Sequence, residues 1–245
     1  MRRRVARSLL AFVMFAAAVL TGTVASAGPA YADACYTWNR TLSQGASGSD
    51  VRELQIRVAG YPGYGAVLAI DGRYGPATAA AVRRFQSAYG LAADGVAGPQ
   101  TFSKIYALQE ADCSPAHFDF AELNRCNSTW GGGNVSAATA RENAKRTMWK
   151  LEALRHALND QSIRVTSGFR SKACNSAVGG STNSRHLYGD AADLGAGPHS
   201  LCTLARQARN HGFNGILGPG YSGHNDHTHL DHRSSRFWSA PSCGV

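Results

Sequence analysis

The chain is poor in charge: of its 245 residues only 17% are Asp, Glu, Lys or Arg, and Lys occurs just four times, at 104, 145, 150 and 172. With 44% hydrophobic residues and a net charge of +9, this composition excludes a disordered or collagen-like chain. No apolar run reaches the ~20 residues that a membrane-spanning helix needs. No basic run interleaved with aromatics occurs after residue 32, which argues against nucleic acid as a partner. There is no Cys-x-x-Cys pair, which argues against a zinc site built on thiolates. No Lys follows a Ser at Ser-x-x-Lys spacing, which removes one class of serine-based acyl transfer. Glycine, in contrast, is abundant at 27 residues and points to a loop-rich fold. The length leaves room for two modest domains.

The first residues read as an export signal. Arg2, Arg3, Arg4 and Arg7 precede an apolar run from Leu9 to Leu20, followed by Ala25-Ser26-Ala27 and Ala30-Tyr31-Ala32. A charged head, a short apolar run and small residues at a cleavage point mark a secretory signal peptide over 1–32. Cleavage is expected after Ala32, with Ala27 as the alternative. The remainder carries +5, since the first 32 residues hold four Arg and no acid. That suits a secreted protein beside an anionic cell wall, monomeric and without a membrane partner once the signal is removed. All six cysteines lie after the signal, and an even number in an exported chain reads as three disulfides among 15 possible pairings. Cys35 and Cys113 bracket one segment and are expected to pair; Cys126–Cys174 and Cys202–Cys243 complete the expected set.

Residues 42–109 contain an internal repeat. Asp71-Gly72-Arg73-Tyr74-Gly75-Pro76-Ala77-Thr78 recurs as Asp94-Gly95-Val96-Ala97-Gly98-Pro99-Gln100-Thr101, and Val51-Arg52-Glu53-Leu54-Gln55 matches Val82-Arg83-Arg84-Phe85-Gln86. Apolar residues at 51, 54, 58, then 82, 85, 89, then 102, 105, 108 follow helical spacing. Gly-Pro places proline in a first helical turn, where its missing N–H costs little. The expectation is a small three-helix domain built from a repeated loop-helix unit. The Asp-Gly-x-x-Gly-x-x-Thr pattern, with its Phe-Gln, resembles the peptidoglycan-binding domain of bacterial wall hydrolases, which implies a non-catalytic wall anchor.

After a connector over 110–135, apolar residues at 144, 148, 151, 154 and 158 predict one helix from Ala137 to Leu158, with Ser136 as its cap. Ile163–Thr166 reads as a strand and Thr203–Asn210 as a helix. The overall expectation is an α+β protein, its second domain spanning 115–245. Four of nine histidines crowd into His224-Asn225-Asp226-His227-Thr228-His229-Leu230-Asp231-His232, which suggests a metal. On a strand, His227 and His229 share a face and Asp226 points away. If Gly189-Asp190 formed a two-residue turn, His186 and Asp193 would oppose each other in a hairpin, ~5 Å apart at Cβ. His186, Asp193 and His229 are then the candidate ligands of one zinc ion (Zn2+) per chain, leaving a corner for water. The same donor set also suits iron(II).

Ser184-x-His186-x-x-Gly189-x-Ala191-x-Asp193, with Asp226-x-x-His229 and Ser167-Gly168-Phe169-Arg170-Ser171, closely resembles the zinc D-alanyl-D-alanine carboxypeptidases. A wall-binding domain followed by this catalytic domain looks like the secreted actinomycete members of that group. The resemblance implies a mixed α/β peptidase domain around an antiparallel sheet, a fold shared with hedgehog signalling domains. It implies peptidoglycan stem peptides as substrate, with Asp226 as general base, or else as a partner of a ligand imidazole. Either His224 or His227 would stabilise the oxyanion or shuttle the proton. Arg170 would bind the terminal carboxylate, with Arg185 as rival, and Ser184 would orient His186. Asp190 and Asp231 have no expected role, and His232 is expected in solvent. The alternatives are a wall endopeptidase of the same fold and a wall-binding protein with a non-catalytic zinc site.

Overall fold

The computed structural model describes residues 35–124, 126 and 129–245; the expected signal segment 1–32 lies outside them. Three helices come first: α1 (Ser49–Arg57), α2 (Pro76–Ala88) and α3 (Pro99–Ala107). Pro76 and Pro99 each stand at a helix start. The expected apolar positions Val51, Leu54, Val82, Phe85, Phe102 and Ile105 are buried together with Trp38, Leu42 and Tyr74.

The sequence repeat is a repeated hydrogen-bond unit. The Gln55 amide donates to Asp71 Oδ1 (2.9 Å), the Arg73 carbonyl (3.0 Å) and Thr78 Oγ1 (3.1 Å), and its oxygen accepts from Gly72 N at 2.8 Å. One unit later, Gln86 donates to Asp94 Oδ1 (2.9 Å), the Val96 carbonyl (2.9 Å) and Thr101 Oγ1 (3.1 Å), and accepts from Gly95 N at 2.8 Å. Gly72 and Gly95 both have positive φ, 73° and 76°, where a side chain would be strained.

The second half begins with α4 (Ala137–Ala157), capped by Ser136, whose hydroxyl accepts from Thr139 N at 3.2 Å. It continues through β1 (Arg164–Ser167), α5 (Lys172–Ala177), a 3-10 turn (Arg185–Tyr188), β2 (Ala191–Gly195), α6 (Leu201–Ala208), β3 (Gly215–Leu217), β4 (His227–Asp231) and β5 (Phe237–Ser239). The five strands form one sheet in the order β1-β2-β4-β3-β5. The expected antiparallel sheet is corrected to a mixed one: β5 runs parallel to its neighbour β3, while the other three pairs are antiparallel. Alternation along each strand sends Ala192, Leu194 and Leu230 into the core with Met148, Leu151, Leu154 and Leu204. The opposite face is left for polar residues.

The helix α4 serves both halves. Its expected stripe faces the sheet core, whereas Trp149 and Ala153 belong to the core of the first three helices. Gly60 lies so close to α4 that a Cβ there would meet Ala153 and the Lys150 backbone. His211 donates from Nδ1 to the Gly60 carbonyl at 2.8 Å, and Lys150 donates to the Gly212 carbonyl at 2.6 Å. Three disulfides join Cys35–Cys113, Cys126–Cys174 and Cys202–Cys243, as expected. Among the described residues no helix is long and apolar enough to cross a membrane.

Candidate metal centre and cleft

Period-two alternation builds the site on the polar face of the sheet. Register sets Ser167 beside Asp193, Asp193 beside His229, and His229 beside Leu217. His186 reaches this row from the 3-10 turn. The expected hairpin is therefore corrected: Ser184 caps a helical turn, and Gly189 ends it in the left-handed region at φ 74°. A Cβ at Gly189 would collide with the Ala140 backbone of α4, so the chain can pass there only as glycine. The outcome sought from the hairpin still arises, because the turn lays His186 over β2.

His186 Nε2, His229 Nδ1 and Asp193 Oδ1 converge. The separations are 3.1 Å between the two nitrogens, 3.1 Å from His186 to Asp193 and 2.8 Å from His229 to Asp193. Donors held at ~2.05 Å around a tetrahedral ion stand about 3.3 Å apart, so two imidazoles and a carboxylate in this arrangement fit zinc. These three are the residues whose donor atoms cluster for a metal among the described residues, and all are buried. The other nitrogen of each ring is occupied: His186 Nδ1 donates to the Gly168 carbonyl (2.6 Å) and His229 Nε2 to Asp231 Oδ2 (3.0 Å). Those bonds turn a lone pair of each ring toward the shared point.

Without an ion the three donors compensate one another's burial, and His229 must give up a proton for a metal to bind. Burial lowers the pKa of His186, keeping its imidazole neutral. Burial opposes charge on His229 too, but the hydrogen bonds to Asp193 and Asp231 outweigh it and raise the pKa to about 9 without an ion. Burial works against the Asp193 carboxylate, yet His186 and His229 hold it well below the usual carboxylate range.

The remaining expected residues surround this cluster. The Asp226 side chain is 89% exposed and accepts from His227 Nδ1 at 2.8 Å; that bond lowers its pKa. His227 Nε2 lies 3.6 Å from Asp193 Oδ1. The His224 ring stands 4.8 Å from that of His227 and 5.9 Å from that of His229, with its Nδ1 donating to the Ser222 carbonyl. Arg170 donates from Nη2 to Asp193 Oδ2 (2.6 Å) and from Nε to Ser167 Oγ (2.9 Å). Arg185 is paired with Asp190 and stacked over Tyr188.

Three expectations are corrected. Asp231 is fully buried and joins His229 to Arg233. Asp190 is buried and holds Arg185. His232 is not in solvent: its ring packs on Phe213 and lies near Thr147, and burial drives its pKa well below the ordinary value. The signal for Asp231 was present as His227-x-His229-x-Asp231, three residues on one face of β4.

Two cavities open on the cluster. One of about 710 Å³ runs along β1, and one of about 540 Å³ lies over the 3-10 turn and Tyr221. Arg170, Asp193 and His227 border both.

Residues 116–231 match the Peptidase M15 family and residues 47–105 a peptidoglycan binding domain. The zinc D-Ala-D-Ala carboxypeptidase of Streptomyces albus G is 69% identical over 221 residues, covering 90% of this chain and 87% of that protein. The chain belongs to the M15 peptidases. The N-acetylmuramoyl-L-alanine amidase CwlL of Bacillus licheniformis is 48% identical over 65 residues, 25% of this chain and 18% of its own.

Proposed function

We propose that this M15 peptidase is a secreted, monomeric zinc D-alanyl-D-alanine carboxypeptidase that removes the terminal D-alanine from peptidoglycan stem peptides. Residues 115–245 would form its catalytic domain and residues 42–109 a wall anchor. The observation that carries the reading is the convergence of His186 Nε2, Asp193 Oδ1 and His229 Nδ1 within 3.1 Å of one another. These three residues would hold the zinc, which when bound would supply a water that ionises near neutral pH and a Lewis acid for the scissile carbonyl.

The chain's own residues do the rest. Asp226, ionised at neutral pH and anchored by His227, accepts a proton at its carboxylate and passes it to the leaving amine. His227 holds Asp226 through Nδ1–H and, as an imidazolium, would also present Nε2–H at the ligand cluster to negative charge on the carbonyl oxygen, with the His224 ring beside it. Arg170 keeps Asp193 oriented through Nη2, and its remaining N–H groups face the cleft, where they bind the terminal carboxylate. The six half-cystines and the sequence of residues 1–32 support export and action at the cell wall.

Release of D-alanine from a pentapeptide ending in D-Ala-D-Ala, measured with and without 1,10-phenanthroline and with penicillin, tests the reading. Activity lost to the chelator, restored by zinc and indifferent to penicillin is expected. Activity that survives complete metal removal would refute it.

A further inference from the structure

The sheet face that carries the donor cluster also carries an arginine whose guanidinium no side chain engages among the described residues. β1 is an edge strand, and its register sets Arg164 opposite Gly195, which stands opposite His227 on β4. Arg164 thus lies one cross-strand row from Ser167, Asp193 and His229. Gly195 makes this possible: a Cβ there would stand 2.8 Å from Thr166 Cγ2 and 3.1 Å from Arg164 Nη1. The guanidinium lies over the missing side chain.

The other arginines of the cleft are tied down. Arg170 holds Asp193, Arg185 holds Asp190 and Arg233 holds Asp231. Arg164 is exposed, and its guanidinium makes no ion pair or hydrogen bond among the described residues. It lines the 710 Å³ cavity together with Arg170. That cavity is far larger than one departing alanine requires, and it extends along the edge of the sheet. It suits the longer part of a peptide, on the N-terminal side of the scissile bond.

We propose that Arg164 is a specificity-determining residue that binds a carboxylate carried by the acyl half of the substrate peptide. The proposal rests on the carboxypeptidase reading and adds to it the chemical class of stem that is preferred: acidic rather than amidated. A guanidinium recognises a carboxylate through two parallel hydrogen bonds, and an uncompensated one aimed into a peptide cleft discriminates charge. Because Arg164 is exposed, its contribution is modest and sensitive to salt.

The test uses the zinc-loaded, full-length mature enzyme and its R164Q and R164K variants. The substrates are peptides ending in D-Ala-D-Ala with glutamate one, two or three residues before that pair, each matched by its glutamine counterpart. For at least one position, R164Q is expected to lower kcat/KM about fivefold on the glutamate peptide, mainly through KM. The glutamine peptide should stay within about twofold. R164K should restore part of the preference, and high salt should shrink it in the unaltered enzyme. Equal losses on both peptides, or no loss on any glutamate peptide, would overturn the proposal. Calorimetric affinities for the product peptides, lacking the last alanine, read the same contrast without turnover. An enzyme that binds them with this charge preference but releases no D-alanine would sink the carboxypeptidase reading and leave the role of Arg164 standing.

Discussion

Asp231 does for His229 what the Gly168 carbonyl does for His186: it accepts the N–H of the nitrogen turned away from the ion. A ring held at both ends has one tautomer and one orientation. Asp231→Asn keeps the shape but removes the charge, and it is expected to weaken zinc binding by at least about tenfold in competition with a chromogenic chelator. Asp226→Ala should behave in the opposite way. Its side chain is none of the three clustered donors, so zinc content is expected to be unchanged while kcat falls at least ~10²-fold, the usual share of a general base. The triad itself was legible in the sequence because its spacing is a motif. For Asp231 the alternation His227-x-His229-x-Asp231 was the one signal, and it points to a partner of His229 only once the strand and its buried face are known. His232 was misread for the same reason: a histidine at the end of a polar run looks solvated, but here it is half-buried, with its ring packed on Phe213.

At the scale of elements, the loop-helix repeat stands on one buried glutamine amide per unit. Gln86→Ala would leave the buried Gly95 N–H without its partner and remove the bonds to Asp94, Val96 and Thr101, and it is expected to cost about 2 kcal/mol. Gln55→Ala should cost about the same, since the two glutamines make the same four bonds; urea unfolding of each variant measures both. These helices were legible because their apolar spacing is local. Two features of the sheet domain were not. Gly189-Asp190 reads as a hairpin turn in isolation, but the Ser184 cap and the closeness of α4 make a 3-10 turn instead. The parallel pairing of β5 with β3 depends on the chain returning past β4, and nothing in Phe237–Ser239 encodes that direction.

Across the whole molecule, one histidine couples the two halves to pH. Burial depresses the His211 pKa to about 4, against an ordinary value of 6.5, so the folded protein holds it neutral while the unfolded chain takes up a proton below pH 6.5. The stability this neutral ring represents is complete above pH 6.5. It drains away as pH falls toward about 4, a loss on the order of 3 kcal/mol. Urea midpoints at pH 7.5 and 4.5 should therefore differ less for His211→Gln than for the unaltered protein. The shared helix α4 carries a wider implication. Two sequence modules that look portable are soldered through Trp149, whose indole fills the core of the first three helices and donates to the Cys113 carbonyl. Cutting the connector to express the sheet half alone would strip that ring bare and invite aggregation, so recombining such an enzyme with a foreign anchor would require redesigning the helix as well as swapping the domain.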